Sequence, residues 1–116
     1  MKQSKKAQLK KEIDKLAKRK YWQPYCLICG KPAQVLHHFI PRSQSLYLRW
    51  DKRNLIPICN GCHTRHHRAG DPSIHAIILK KKGWEWYEDL MQDRHTIFKD
   101  TLTNLREVRE RLNKEE

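Results

Sequence analysis

Nowhere in its 116 residues does the chain carry an apolar run long enough to cross a bilayer. Its first twenty residues lack the apolar stretch of a secretory leader and instead set lysines in a helical pattern. A membrane-embedded or secreted protein is therefore not expected, and the reading is cytoplasmic. Internal repeats are also lacking. Acidic residues are scarce: 13 Asp and Glu stand against 25 Lys and Arg, a net charge of +12. That imbalance points to a polyanionic partner, most economically nucleic acid. An acidic membrane surface fits less well, because the basic arm has few large apolar groups to insert. The excess is uneven. Residues 1–20 hold nine basic side chains against Glu12 and Asp14, residues 21–95 hold eleven against six acids, and residues 96–116 are balanced at five each.

Cysteine is equally sparse, but its four copies form two Cys-x-x-Cys pairs, Cys26/Cys29 and Cys59/Cys62. In a reducing compartment this spacing means metal before disulfide, and two such pairs beside a histidine cluster exceed what dithiol exchange requires. Four thiolates can close a tetrahedron around a structural Zn²⁺ at about 2.3 Å per bond. The segment between residues 21 and 67 is near the size, roughly 40 residues, below which a core needs a metal, a disulfide or a partner. Between the pairs lies a stretch long enough to be a structure in its own right.

Ala7, Leu9, Ile13, Leu16 and Ala17 among lysines predict a helix over residues 3–20 with a thin apolar stripe, ended before Pro24. A short strand is expected over residues 34–40, running into Pro41 and an irregular loop, and a second at Leu55–Ile58. After Cys62 a helix should run to about Gly70, followed by helices over 74–82, closed by Gly83, and 84–92. Phe98, Leu102, Leu105, Val108 and Leu112 recur at helical spacing. This last stripe is expected to pack onto the domain, with a homodimer seam as its alternative use. The fold class is α+β: a central unit over residues 21–95 flanked by a basic helix at 1–20 and an amphipathic helix at 96–116.

The segments CLIC, VLHHFIPRS and RNLIPICNGCH give the order strand with His37-His38, loop, Asn54, strand, knuckle and a helix opening at His63. In this the chain resembles the HNH nuclease family over about residues 26–67, and RWDKRN and GWEWYEDL are similar to small phage-encoded members, including the lambdoid recombination nuclease type. The resemblance implies a ββα-metal core with a four-cysteine zinc knuckle, acting on DNA phosphodiesters, in a bacterial host cell if the chain is phage-encoded. It implies His38 as general base, a divalent cation on His37 and His63, and Asn54 as a brace for the loop. An imidazole of ordinary pKa, about 6.5, is largely a free base at neutral pH. His67, four residues after His63 on the expected helix, is a candidate third ligand. His66 is expected to face solvent or a phosphate, and His75 and His95 to be surface or core residues. Histidine in place of the family's commoner Asp before the base favours Mn²⁺, Ni²⁺, Co²⁺ or Zn²⁺ over Mg²⁺. Arg65 is the first candidate for contact near the scissile group, with Arg42, Arg49, Arg53 and Arg68 as further phosphate ligands. A zinc-stabilised nucleic-acid-binding module without catalysis is the alternative reading.

Overall fold

Ser4 opens the first helix by accepting a hydrogen bond from the Ala7 amide at 3.1 Å. In the computed structural model, which describes residues 4–114, α1 then runs over Lys5–Lys20. Free of Gly and Pro and rich in Lys, with Leu and Ala on its inner side, this stretch has strong helix propensity. It buries Leu9, Ile13 and Ala17, one face at four-residue spacing, and ends in Lys18, Arg19 and Lys20, which favour the negative end of the helix dipole. That face packs on α5, Leu102–Lys114, through Leu105, Val108 and Leu112. Lys10 binds Asp100 at 2.8 Å, and Lys20 donates to the Leu112 carbonyl at 3.0 Å.

The α5 stripe is thus covered by α1 of the same chain, and Trp50 and Leu55 complete the cluster. This corrects the alternative of a homodimer seam on that helix: its apolar residues are already buried. Phe98, expected to begin the stripe, lies before the helix and packs its ring on Trp50 at 6.2 Å.

The central sheet has two antiparallel strands, β1 at Val35–His38 and β2 at Leu55–Ile58, in the register His37 opposite Ile56 and His38 opposite Leu55. β1 is shorter than the sequence suggests because an asparagine side chain takes over its ladder. Buried Asn54, closing a 3₁₀ turn at Lys52–Asn54, accepts from the Ile40 amide at 2.7 Å. It donates to the carbonyls of Ile40 and Leu48 at 3.0 and 3.2 Å. Three bonds from one amide pin the start of the loop to its end. All four residues of β2 are buried; Ile56 and Ile58 join one core cluster and Leu55 the other, as strand alternation requires.

Three helices follow: α2 at Asn60–His67, α3 at Ser73–Lys82 and α4 at Trp84–Gln92. α2 begins three residues earlier than the sequence suggests, because Cys59 is its N-cap and its sulfur accepts from the Cys62 amide at 3.4 Å. The second cysteine pair is therefore the first turn of the histidine helix. Gly70, at φ 64°, makes the left-handed turn toward α3, whose start Asp71 holds by accepting from the amide and hydroxyl of Ser73. Ile74, Ile78 and Leu90 pack these helices against Phe39, Leu48, Ile56 and Ile58. Among the described residues no helix is long and apolar enough to cross a membrane.

Candidate functional site

All four cysteines are free thiols, and their sulfurs lie within 4.8 Å of one another. A tetrahedron with bonds of about 2.3 Å has edges of about 3.8 Å, and the Cys29–Cys59 separation of 3.6 Å matches it. The donor set also asks for a cation. Burial raises the Cys26 thiol, yet backbone amides around it bring it down to about 7. Cys62 is pushed up to about 12 by burial and by its sulfur neighbours. A divalent ion would balance the charge of thiolates at such a site. The residues fit a structural Zn²⁺.

Beyond the knuckle, β1 and the α2–α3 pair frame a cleft of about 520 Å³, lined by His37, His38, His63, His66, His67 and His75 and rimmed by Lys18, Arg42 and Arg49. His37 and His38 leave opposite faces of their strand. Both nevertheless line the cleft, at the edge of a sheet that has two strands among the described residues. His37 is buried at 4% exposure, with a nitrogen within 4.8 Å of nitrogens of His63 and His67. The His63 and His67 rings lie 4.3 Å apart on the i, i+4 face of α2. Burial, then the neighbouring imidazoles His75, His66, His63 and His67, hold His37 down to about 3. Burial likewise lowers His63. Three imidazole nitrogens this close together fit a borderline divalent ion.

His38 sits on the α1 side. Its Nε2 is 2.9 Å from the Arg49 carbonyl. A carbonyl oxygen only accepts, so Nε2 carries the proton and Nδ1 keeps the lone pair. Burial lowers the pKa of His38, leaving the ring neutral at pH 7. The Arg49 backbone is itself tied down. Asp14, one of two acids on a basic helix, accepts from Arg49 Nε at 3.0 Å and Nη2 at 2.7 Å and from the Trp50 indole at 2.7 Å. Sequence alone does not single out Asp14, where it is only one acid set against the lysine excess.

The remaining arginines divide. Arg42 is more than half exposed on the cleft rim, 3.6 Å from Asp14. Arg53, expected on DNA, joins Asp51, Asp89 and Asp93 at 2.8 to 3.0 Å and ties the 3₁₀ turn to α4. Arg65, the first choice near the scissile group, lies outside the cleft lining and pairs with Asp71 at 2.7 Å. Arg68 is exposed at the end of α2. Two further histidines join the cluster. His75, expected in a bland role, places its Nε2 at 2.9 Å from His37 Nε2, and His66, expected at solvent or a phosphate, stacks on His75 at 4.3 Å. His95 is exposed, as expected.

Burial of His37 links stability to pH while no metal occupies the histidines. An unfolded His37 takes up a proton near pH 6.5, the folded one only near pH 3. The unfolded state therefore binds more protons between those values, so stability fully present above pH 6.5 is lost as pH falls toward 3. Since a tenfold change in proton affinity is about 1.4 kcal/mol, we expect a steep fall in urea midpoint between pH 7 and 5. In His37→Gln, uncharged throughout, the fall should be shallower. Equal slopes in the two proteins would remove His37 as the cause.

Residues 26–69 match the family model of the HNH endonuclease. A stretch of 47 residues is 43% identical to the "Mitochondrial DNA mismatch repair protein mutS homolog" of Sarcophyton glaucum, covering 37% of this chain and 5% of that much longer protein. No solved structure matches the chain. Neither likeness bears on the narrower resemblance to phage recombination nucleases. The matched stretch, residues 26–69, runs from the first knuckle cysteine to just past the histidine helix, so the likeness to the HNH endonuclease family rests on this segment.

Proposed function

We propose that this protein is a metal-dependent DNA endonuclease, with His38 as general base and a divalent cation held by His37, His63 and His67. The observation that carries this reading is the His38–Arg49 hydrogen bond, which fixes an imidazole with a free Nδ1 in the same cleft as three converging histidines. When bound, the cation supplies Lewis-acid stabilisation of charge on the phosphate and the departing 3′ oxygen. His38 takes the proton of the attacking water at Nδ1. Arg42, on the cleft rim and less than fully paired, supplies positive charge to an incoming phosphate. Asn54 fixes the loop that returns the Arg49 carbonyl to His38. The ends left are a 5′-phosphate and a 3′-hydroxyl.

The test is nicking of supercoiled plasmid by zinc-replete protein with Mg²⁺, Mn²⁺, Ni²⁺ or Co²⁺ added in turn. Cleavage with the nitrogen-seeking ions, and weaker cleavage with Mg²⁺, is the expected result. No cleavage with any ion, together with salt-dependent DNA binding, would replace this reading with a non-catalytic binding module.

Asp14 is expected to act as a positioning residue. Asp14→Ala should lower kcat by about 10- to 100-fold, the range of losses when outer-shell partners are removed, with little change in KM and full zinc content. Asp14→Asn keeps one acceptor and should recover part of the rate. A loss confined to KM would assign Asp14 to DNA binding instead.

A further inference from the structure

His37 is the pivot of two histidine sets. One nitrogen each from His37, His63 and His67 lie within 4.8 Å of one another, and the same holds for His37, His66 and His75. The second set draws on three elements: β1 gives His37, α2 gives His66 and α3 gives His75. The His75 ring stacks on Phe39 at 4.4 Å and 20° and on His66 at 4.3 Å and 16°; because imidazole lone pairs lie in the ring plane, an ion held by both His66 and His75 requires the His66 ring to turn out of this stack. His37 Nε2 meets His75 Nε2 at 2.9 Å, close to the separation of about 3.3 Å between two imidazole nitrogens on one tetrahedral ion.

We propose that His37, His66 and His75 form a second seat for a borderline divalent transition ion such as Ni²⁺, Co²⁺ or Zn²⁺. Three nitrogen donors without a carboxylate select these ions over Mg²⁺ and Ca²⁺. A neutral imidazole offers one lone-pair nitrogen, so His37 serves one ion at a time. The chain therefore binds a single ion at the cluster, in either seat, and a cation that loses His63 and His67 still has a place to go. This seat is defined by binding alone and does not depend on the nuclease reading.

The experiment is calorimetric titration of Ni²⁺ into untagged protein whose knuckle is already filled with Zn²⁺. Wild type should take up one Ni²⁺ per chain. The double variant His63→Gln and His67→Gln, which keeps good helix formers on α2, should still take up one, with affinity within about tenfold of wild type. Adding His66→Gln and His75→Gln should abolish uptake. Zinc content and circular dichroism establish that each variant is folded. If the double variant loses its zinc, the pair His63→Asn and His67→Asn replaces it. No uptake by the folded double variant would overturn the proposal and leave His75 as a hydrogen-bond partner of His37 only. Uptake that survives removal of all four histidines would overturn it as well.

Discussion

Replacing His38 by alanine should slow DNA nicking by about 10²–10⁴-fold, the usual contribution of a positioned general base, with zinc content and DNA affinity unchanged. The size follows from what the ring supplies. Its Nε2–H is given to the Arg49 carbonyl, which fixes the tautomer, and burial keeps the ring unprotonated, so Nδ1 is a ready proton acceptor. No other histidine of the cleft shares this placement: His37, His63, His66, His67 and His75 crowd one another on the α2–α3 side. His38→Gln separates proton transfer from packing. Its amide can still donate to the Arg49 carbonyl but cannot take a proton from water, so it should be as slow as alanine. A glutamine variant that nicks at the wild-type rate would exclude His38 as the base.

What was legible in the sequence is what local spacing encodes. Two Cys-x-x-Cys pairs supply the four soft donors of a metal knuckle, and His63 and His67 share a helix face by their i, i+4 spacing alone. Asn54 was legible only through family resemblance, and the structure supplies its physical reason, three hydrogen bonds across the loop. What escaped depended on tertiary packing. His75 lies eight residues beyond His67, across the Gly70 turn, and reaches His37 only because Ile74 and Ile78 anchor α3 in the core. Periodicity showed that α5 has a face to bury but not that α1, at the other end of the chain, covers it. Arginine counts could not separate Arg42 on the rim from Arg53, which three carboxylates hold, or Arg65, which Asp71 holds.

Cys62→Ser should cost the central unit both its zinc and its fold. Cys62 is buried and belongs to the core cluster with Cys26, Cys59, Ile56 and Ile58, so losing the ion disturbs packing as well as coordination. α2 has eight residues, too few to be stable alone. Its start is fixed by the Cys59 sulfur and by the Gln34 side chain, which accepts from the Asn60 amide at 2.8 Å. A structural zinc of this type is worth about 10–16 kcal/mol in apparent binding free energy, more than the stability left to most small domains, about 5–15 kcal/mol. Chelation should therefore act like the mutation, exposing residues 26–92 to protease and abolishing uptake of ions by the histidines. The α1–α5 pair draws most of its cluster from the two chain ends, so part of the helical signal should persist. A chelated protein, shown to be zinc-free, that kept the same Tm and still bound Ni²⁺ would refute this role for the knuckle. Because His63 follows Cys62 directly on the first turns of α2, zinc loss and loss of activity should occur together, and restoring zinc to the wild-type chain should recover both.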